Sequence, residues 1–137
     1  MTAAAPVGVD SAVAGLVGFL ETGIVPEGLF AQEVFADVSL PRWRLQGATR
    51  EELIAIRQAG HPTPGQVRVE RLESTEHGFV MQFEERWRRN GQDWYSREAI
   101  RADVVDDQIV DIAVYCTGDW DAERQRQHAQ NVGLLRP

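Results

Sequence analysis

Two glutamates, Glu85 and Glu98, are the residues best placed to do chemistry in this chain. Both belong to the stretch FEERWRRNGQDWYSREAI, residues 83–100. Its centre, Asn90-Gly91, suits a two-residue hairpin turn, because those residue types tolerate positive φ at both central positions. A turn centred there sets Trp87 opposite Trp94, Glu85 opposite Ser96 and Phe83 opposite Glu98. Strand side chains alternate between faces. One face therefore carries Phe79, Met81, Phe83, Trp87, Trp94, Ile100 and Ala102 together with Glu85, Ser96 and Glu98. The two glutamates become diagonal neighbours within reach of each other. A carboxylate on an apolar face is costly unless it is paired or neutral. Two adjacent carboxyls do not readily both ionise, so one holds a proton near neutral pH. Such a pair suits general acid and base work.

The opposite face holds Arg88 with Asp93, Arg86 with Tyr95 and Glu84 with Arg97, and is read as solvent-facing. A one-residue slip would move Trp94 among these charges and Arg97 into the core, which argues for the stated register. The bland alternative for Glu85 and Glu98 is solvation at the open end of the sheet, or pairing with Arg44.

Several other residues could join this pair. Trp43, Trp87 and Trp94 could line an aromatic slot, with Ser96 beside them and Arg44 orienting a substrate. Asp37 could point inward or outward. In the last strand, a three-residue turn at Asp106-Asp107-Gln108 would make Val110, Ile112, Val114 and Cys116 the inner set. A two-residue turn would instead put Tyr115 inside. The first is preferred, with Cys116 a buried small hydrophobe near Glu98 rather than a nucleophile, since no base lies close in sequence. His61, His77 and His128 fall in a loop, a turn and a polar helix and are read as solvent-exposed. No grouping of His, Cys, Asp and Glu has metal-ligand spacing, and no phosphate loop is present. No cofactor is called for.

The elements that must position these groups follow from local patterns. Residues 1–9 read as a loose tail and residues 10–137 as a single domain. Val13, Leu16, Val17 and Leu20 mark an amphipathic helix, with Asp10 or Ser11 as cap and Gly23 as stop. PEGLFAQ, beginning at Pro26, suggests a short second helix. Residues 34–40 read as a strand and PRWRLQG as an irregular link. Thr49 and Glu52 form a capping box for a helix over residues 50–59, which Gly60 ends. From residue 66 onward four strands alternate with turn residues, and a polar helix capped by Asp119 follows. Helices segregated from an antiparallel meander give an α+β domain whose sheet buries one face.

The chain has 137 residues, 43% hydrophobic and 26% charged, and a formal net charge of −7. One core is the expectation at this size. The acidity argues against nucleic acid and anionic membranes as partners. The single cysteine excludes an internal disulfide and fits a cytoplasmic location. The longest apolar run, AVAGLVGFL at residues 12–20, is far short of the roughly 20 residues needed to span a bilayer.

Three stretches, LFAQEVFADVSL, GATREELIAI and VVDDQIVDIAVYCTGDWD, resemble the nuclear transport factor 2-like superfamily in its SnoaL-like branch of small bacterial proteins. Residues 10–131 fit that layout. The resemblance implies a curved antiparallel sheet wrapped by the N-terminal helices into a cone, an α+β barrel with an apolar pocket at one end. It implies a small hydrophobic ligand and a homodimer formed through the sheet. Cyclases, isomerases, epoxide hydrolases and non-catalytic modules all share this fold. The Arg-x-Asp and second Asp of the epoxide hydrolases correspond here to Gln82, Glu84 and Val114, so that set is absent. Two readings follow. One is a cofactor-independent cyclase, isomerase or dehydratase using Glu85 and Glu98 on a polyketide- or terpenoid-like substrate. The other is a non-catalytic binding or assembly module.

Overall fold

The computed structural model describes residues 7–61 and 64–137. Its elements run α1 (Val7–Thr22), β1 (Phe30–Leu40), β2 (Trp43–Gly47), α2 (Arg50–Gly60), β3 (Gly65–Ser74), β4 (Gly78–Arg89), β5 (Gln92–Val105), β6 (Gln108–Cys116) and α3 (Ala122–Asn131). The six strands form one curved sheet in the order β2-β1-β6-β5-β4-β3. All neighbours are antiparallel except β1 and β6, which run parallel. The result is the expected α+β architecture, with the sheet mixed rather than wholly antiparallel.

The core lies between the concave face of the sheet and helices α1 and α2. Leu16, Phe19 and Leu20 of α1 and Leu53 of α2 meet Phe30, Val34, Phe79, Met81, Phe83, Ile100 and Ile112. Phe19 and Phe30 pack edge to face at 5.6 Å between ring centroids. β-Bulges interrupt β3 between Val69 and Arg71 and the β5–β6 ladder at Val110. Each bulge adds a residue to one strand and increases its local bend and twist.

The central hairpin has the register expected from Asn90-Gly91: Trp87 faces Trp94, Glu85 faces Ser96 and Phe83 faces Glu98. Both turn residues adopt positive φ, 52° and 75°. Helix α2 starts at the capping box. Thr49 Oγ1 accepts from the Glu52 N–H, and Glu52 Oε1 accepts from the Ala48 N–H, one residue earlier than the standard partner.

Four local expectations are corrected. Residues 7–9 form the first turn of α1, so Asp10 and Ser11 lie inside the helix and cannot cap it; the rest of the supposed tail, residues 1–6, lies outside the described residues. PEGLFAQ is not a helix. Gly28 turns the chain at φ 80°, and Phe30 enters β1 to pair with Ile109 of β6. The helix signal of Pro26 is overridden by that long-range pairing. PRWRLQG is not irregular: after the Pro41-Arg42 turn, Trp43–Gly47 forms the hairpin strand β2 on β1. The cap of α3 is Asp121, whose carboxylate accepts from the Arg124 N–H at 2.8 Å. Asp119 is displaced from that role because Trp120 is held in a bridge to Tyr95.

The convex face is less wet than its charges suggest. Arg88 pairs with Asp93 at 2.8 Å, and the Arg86 guanidinium lies 4.6 Å above the Tyr95 ring. Glu84, however, is buried. It accepts from Arg68 Nε at 2.7 Å and from the Tyr95 hydroxyl at 2.6 Å. Arg97 turns away from it to make a two-pronged pair with Glu70, the bulge residue of β3.

Candidate active site

The apolar face of the β4–β5 hairpin brings Glu85 and Glu98 together, and helix α2 supplies their cation. Arg57 is the partner. It sits four residues after Leu53, so the helix turns both toward the sheet. Its two terminal nitrogens donate to the Glu85 carboxylate at 2.9 and 2.6 Å, and Nη2 also donates to the Leu20 carbonyl at 2.9 Å. The Glu85 side chain is only 3% exposed and that of Arg57 15%.

Glu98 reaches Glu85 from the neighbouring strand, and its buried Oε2 meets no donor among the described residues. Two facing carboxyls form a hydrogen bond when one of them holds a proton. Burial, then the hydrogen bond and charge of Glu85, raise Glu98 well above the ordinary carboxyl range. Burial pushes Glu85 the same way. The hydrogen bond from Glu98 and the Arg57 guanidinium outweigh it and hold Glu85 below that range. The proton therefore resides on Glu98 and the negative charge on Glu85, as the two environments require.

A cavity of about 410 Å³ opens in front of this pair. Its walls are mainly apolar: Leu16, Phe19 and Leu20 from α1, Val38, Leu40 and Leu45 from the β1–β2 hairpin, Ile56 from α2, and Ile100, Ile112 and Val114 from the sheet. Arg57, His61, Glu98, Cys116 and Asp119 are the ionisable residues on its lining. Glu85 is not on the lining. It stands behind Glu98, between that residue and Arg57.

The structure separates the remaining sequence candidates. Cys116 lines the cavity and is paired with Glu98 across β5–β6, while Tyr115 is 61% exposed. The turn before β6 nevertheless has only two central residues, Asp106 and Asp107, both at positive φ. The bulge at Val110 adds the residue that restores the expected parity, and it buries Ile109 in place of Val110. Burial first, and the nearby Glu98 charge next, push the Cys116 thiol up to about 12.

Trp87 and Trp94 stack at 6.2 Å on the apolar face of the hairpin but do not reach the cavity. Ser96 is buried opposite Glu85, also off the lining. Trp43 pairs with Leu40, is off the lining and is 67% exposed. Arg44 does not orient anything in the cavity and does not meet Glu85 or Glu98. It is held on the outer face by Asp37, at 2.9 and 2.6 Å, because adjacent positions of β2 point to opposite sides. Asp37 accordingly points outward.

Three residues on the cavity were missed. Arg57 was detectable from its i+4 spacing to Leu53. Asp119, on the lining, has its carboxyl raised by burial and by the Glu85 charge. His61, read as a loop residue, ends α2 and turns its ring inward against Trp87 at 3.9 Å between centroids. Burial and the Arg57 charge push it down to about 4, so it is neutral. His77 is exposed as expected, and His128 is partly covered by Trp120. Among the described residues no group of three or more His, Cys, Asp or Glu could hold a metal ion.

No protein-family model and no curated protein matches the chain. Solved structures do. A nuclear transport factor 2-like protein of Anabaena variabilis superposes with a TM-score of 0.67 at 18% identity, over 82% of this chain and 88% of the other. IdmH, a candidate polyketide cyclase of Streptomyces antibioticus, gives 0.63 at 15% identity over 81% and 92%. A LEH-like epoxide hydrolase of M. tuberculosis gives 0.59 at 14% identity over 80% and 81%. At these identities the likeness is one of fold, and that fold is nuclear transport factor 2-like.

Proposed function

We propose that this nuclear transport factor 2-like pocket protein is a cofactor-independent proton-transfer enzyme, of the cyclase, isomerase or dehydratase kind, acting on an apolar small molecule. The observation that carries this reading is the line Arg57–Glu85–Glu98, of which Arg57 and Glu98 line the cavity and Glu85 does not. Glu98 holds the proton and is the acid that meets the substrate. Glu85 is a positioning residue: it accepts the Glu98 hydrogen bond and is fixed by Arg57. Delivery of the proton to a substrate oxygen leaves Glu98 anionic beside Glu85, which favours its return. The apolar walls suit a polyketide- or terpenoid-like skeleton and shield the transfer from water.

The test is a carbon-NMR titration of the side-chain carboxyls in the native protein, Glu85→Gln and Glu98→Gln. One carboxyl should titrate well above the ordinary value. In Glu85→Gln that value should drop, because the freed Arg57 charge then favours ionised Glu98. Two independent titrations near the ordinary value of about 4.3 would sink the reading.

A second reading, an assembly module, is supported by the exposed apolar side chains of the convex face, Phe35 and Tyr115. Sedimentation equilibrium would test it. A homodimer that Tyr115→Glu dissociates is the expected result on that reading.

A further inference from the structure

We propose that the cavity takes an apolar molecule carrying a protonated amine, whose N–H groups donate to the Asp119 carboxylate, and that Asp119 sets a preference for cations over neutral molecules and anions. This inference rests on the cavity being a ligand site, not on the chemistry assigned to Glu98.

Asp119 sits on a pinned stretch of backbone. Gly118 turns the chain out of β6 at φ 86°, and Trp120 exchanges two backbone hydrogen bonds with Tyr95, at 2.7 and 3.0 Å. The Trp120 ring lies against the Tyr95 ring on the convex side, 5.9 Å between centroids. Neighbouring residues of an extended bridge point to opposite sides, so Asp119 turns to the cavity it lines. Its side chain is also open to solvent.

Asp119 is the charge on the described lining that has no protein partner. Arg57 and Arg89 act on it through charge alone, and no described residue gives its side chain a hydrogen bond. Arg57 is the one arginine or lysine on the described lining, and its terminal nitrogens are taken by Glu85 and the Leu20 carbonyl. Glu98 holds its proton. The Cys116 thiol, pushed up to about 12, is uncharged near neutral pH. The ring nitrogens of His61 are enclosed by protein, and the ring is neutral.

With Arg57 neutralised by Glu85, the Asp119 charge is what the cavity presents to a ligand. Burial and the Glu85 charge both work against that carboxylate. A cation beside it offsets both. An ammonium gains a charge-assisted hydrogen bond there, while its skeleton covers the apolar walls. A ligand carboxylate would instead lose its hydration and meet a like charge. The net charge of −7 on the whole chain adds a long-range attraction for cations.

The experiment uses three molecules of one skeleton near neutral pH: 4-phenylbutan-1-amine, 4-phenylbutan-1-ol and 5-phenylpentanoate. Calorimetry reads affinity in the native protein, Asp119→Asn and Glu123→Gln. Asn keeps the shape of Asp119 and removes its charge. Glu123→Gln removes a charge of the same sign from the exposed side of α3, off the lining. Carbon NMR of the side-chain carboxyls reads Asp119 and Glu98 directly. We expect the amine to bind the native protein about tenfold more tightly than the alcohol, the scale of one charged hydrogen bond, and the carboxylate to bind most weakly. Asp119→Asn should remove the amine's advantage and leave the alcohol unaffected. Glu123→Gln should change neither. Saturating amine, but not alcohol, should move the Asp119 titration to lower pH.

Equal affinity for amine and alcohol in the native protein would overturn the inference, as would an unmoved Asp119 titration. So would an amine advantage that survives Asp119→Asn or falls equally in Glu123→Gln, or an amine that fails to bind at millimolar concentration. The Glu98 titration, recorded in the same spectra, separates this from the proton-transfer reading. Amine selectivity lost in Asp119→Asn, with Glu98 titrating near its ordinary value, keeps the inference and counts against catalysis. A raised Glu98 with no preference for the amine does the reverse.

Discussion

Glu98 and Glu85 stand one diagonal step apart on the β5–β4 ladder, the first held above the ordinary carboxyl range and the second below it, with Arg57 of α2 closing the line behind them. Because one member carries the charge and the other the proton, the pair is sensitive to any change in its cation or in pH.

Removing the cation is the most direct perturbation. Arg57→Met leaves the Glu85 carboxylate buried without its partner. A loss of about 3–5 kcal/mol in unfolding free energy is expected, the scale for breaking one side of a buried pair. Adding Glu85→Gln to that variant should recover a good part of the loss, since the stranded charge is then gone. Urea denaturation of the two variants checks this. A double variant no more stable than Arg57→Met would show that the arginine acts through packing alone.

The pH profile of stability should show two opposed contributions. Folding raises Glu98, so the native state binds its proton more tightly than the unfolded chain. Stability from this group is full below the ordinary value of about 4.3 and falls as pH rises through the raised value. Folding depresses His61 to about 4. Its stability is full above the ordinary value of about 6.5 and is lost as pH falls toward 4. Where the two windows overlap they offset one another. Thermal unfolding of Glu98→Gln should therefore rise more steeply from pH 4 to 6.5 than that of the native protein. His61→Phe should lose the acid-side drop.

Cys116 should be a poor nucleophile despite lining the cavity. With its thiol pushed up to about 12, the thiolate is scarce at pH 8. Alkylation by iodoacetamide should run roughly a thousandfold slower than that of a free cysteine, whose value is about 8.5. Mass spectrometry over a time course reads the rate. Labelling as fast as the free amino acid would mean a charge environment different from the one described.

Gly78 tests the packing of the β4–β5 ladder. A Cβ there would stand 2.0 Å from the Ala102 carbonyl oxygen, a backbone atom that cannot swing aside. Gly78→Ala should cost roughly 2 kcal/mol or more. Gly91→Ala makes a useful contrast: it meets no atom within 4 Å but is strained by its φ of 75°. The two variants should both be less stable, and only Gly78→Ala should disturb the amide signals of Ala102 and Asp103.

What the sequence determined by itself was local. Asn90-Gly91 allows one tight turn, and strand alternation then places every residue from Phe79 to Ala102 on a definite face, Glu85 and Glu98 included. The capping residues and apolar spacing of α2 are equally short-range. Tertiary structure decided the rest. Glu85 took Arg57 rather than Arg44 because α2 folds over the hairpin, a contact between residues 28 apart in the chain. His61 entered the cavity because Trp87 gave its ring an aromatic surface. Cys116 faced inward through a bulge that compensates a two-residue turn, and parity of that kind cannot be read from alternation alone. Turn chemistry and side-chain periodicity act over a few residues. Which charge is buried beside which, and where a strand gains a residue, depends on how distant segments pack.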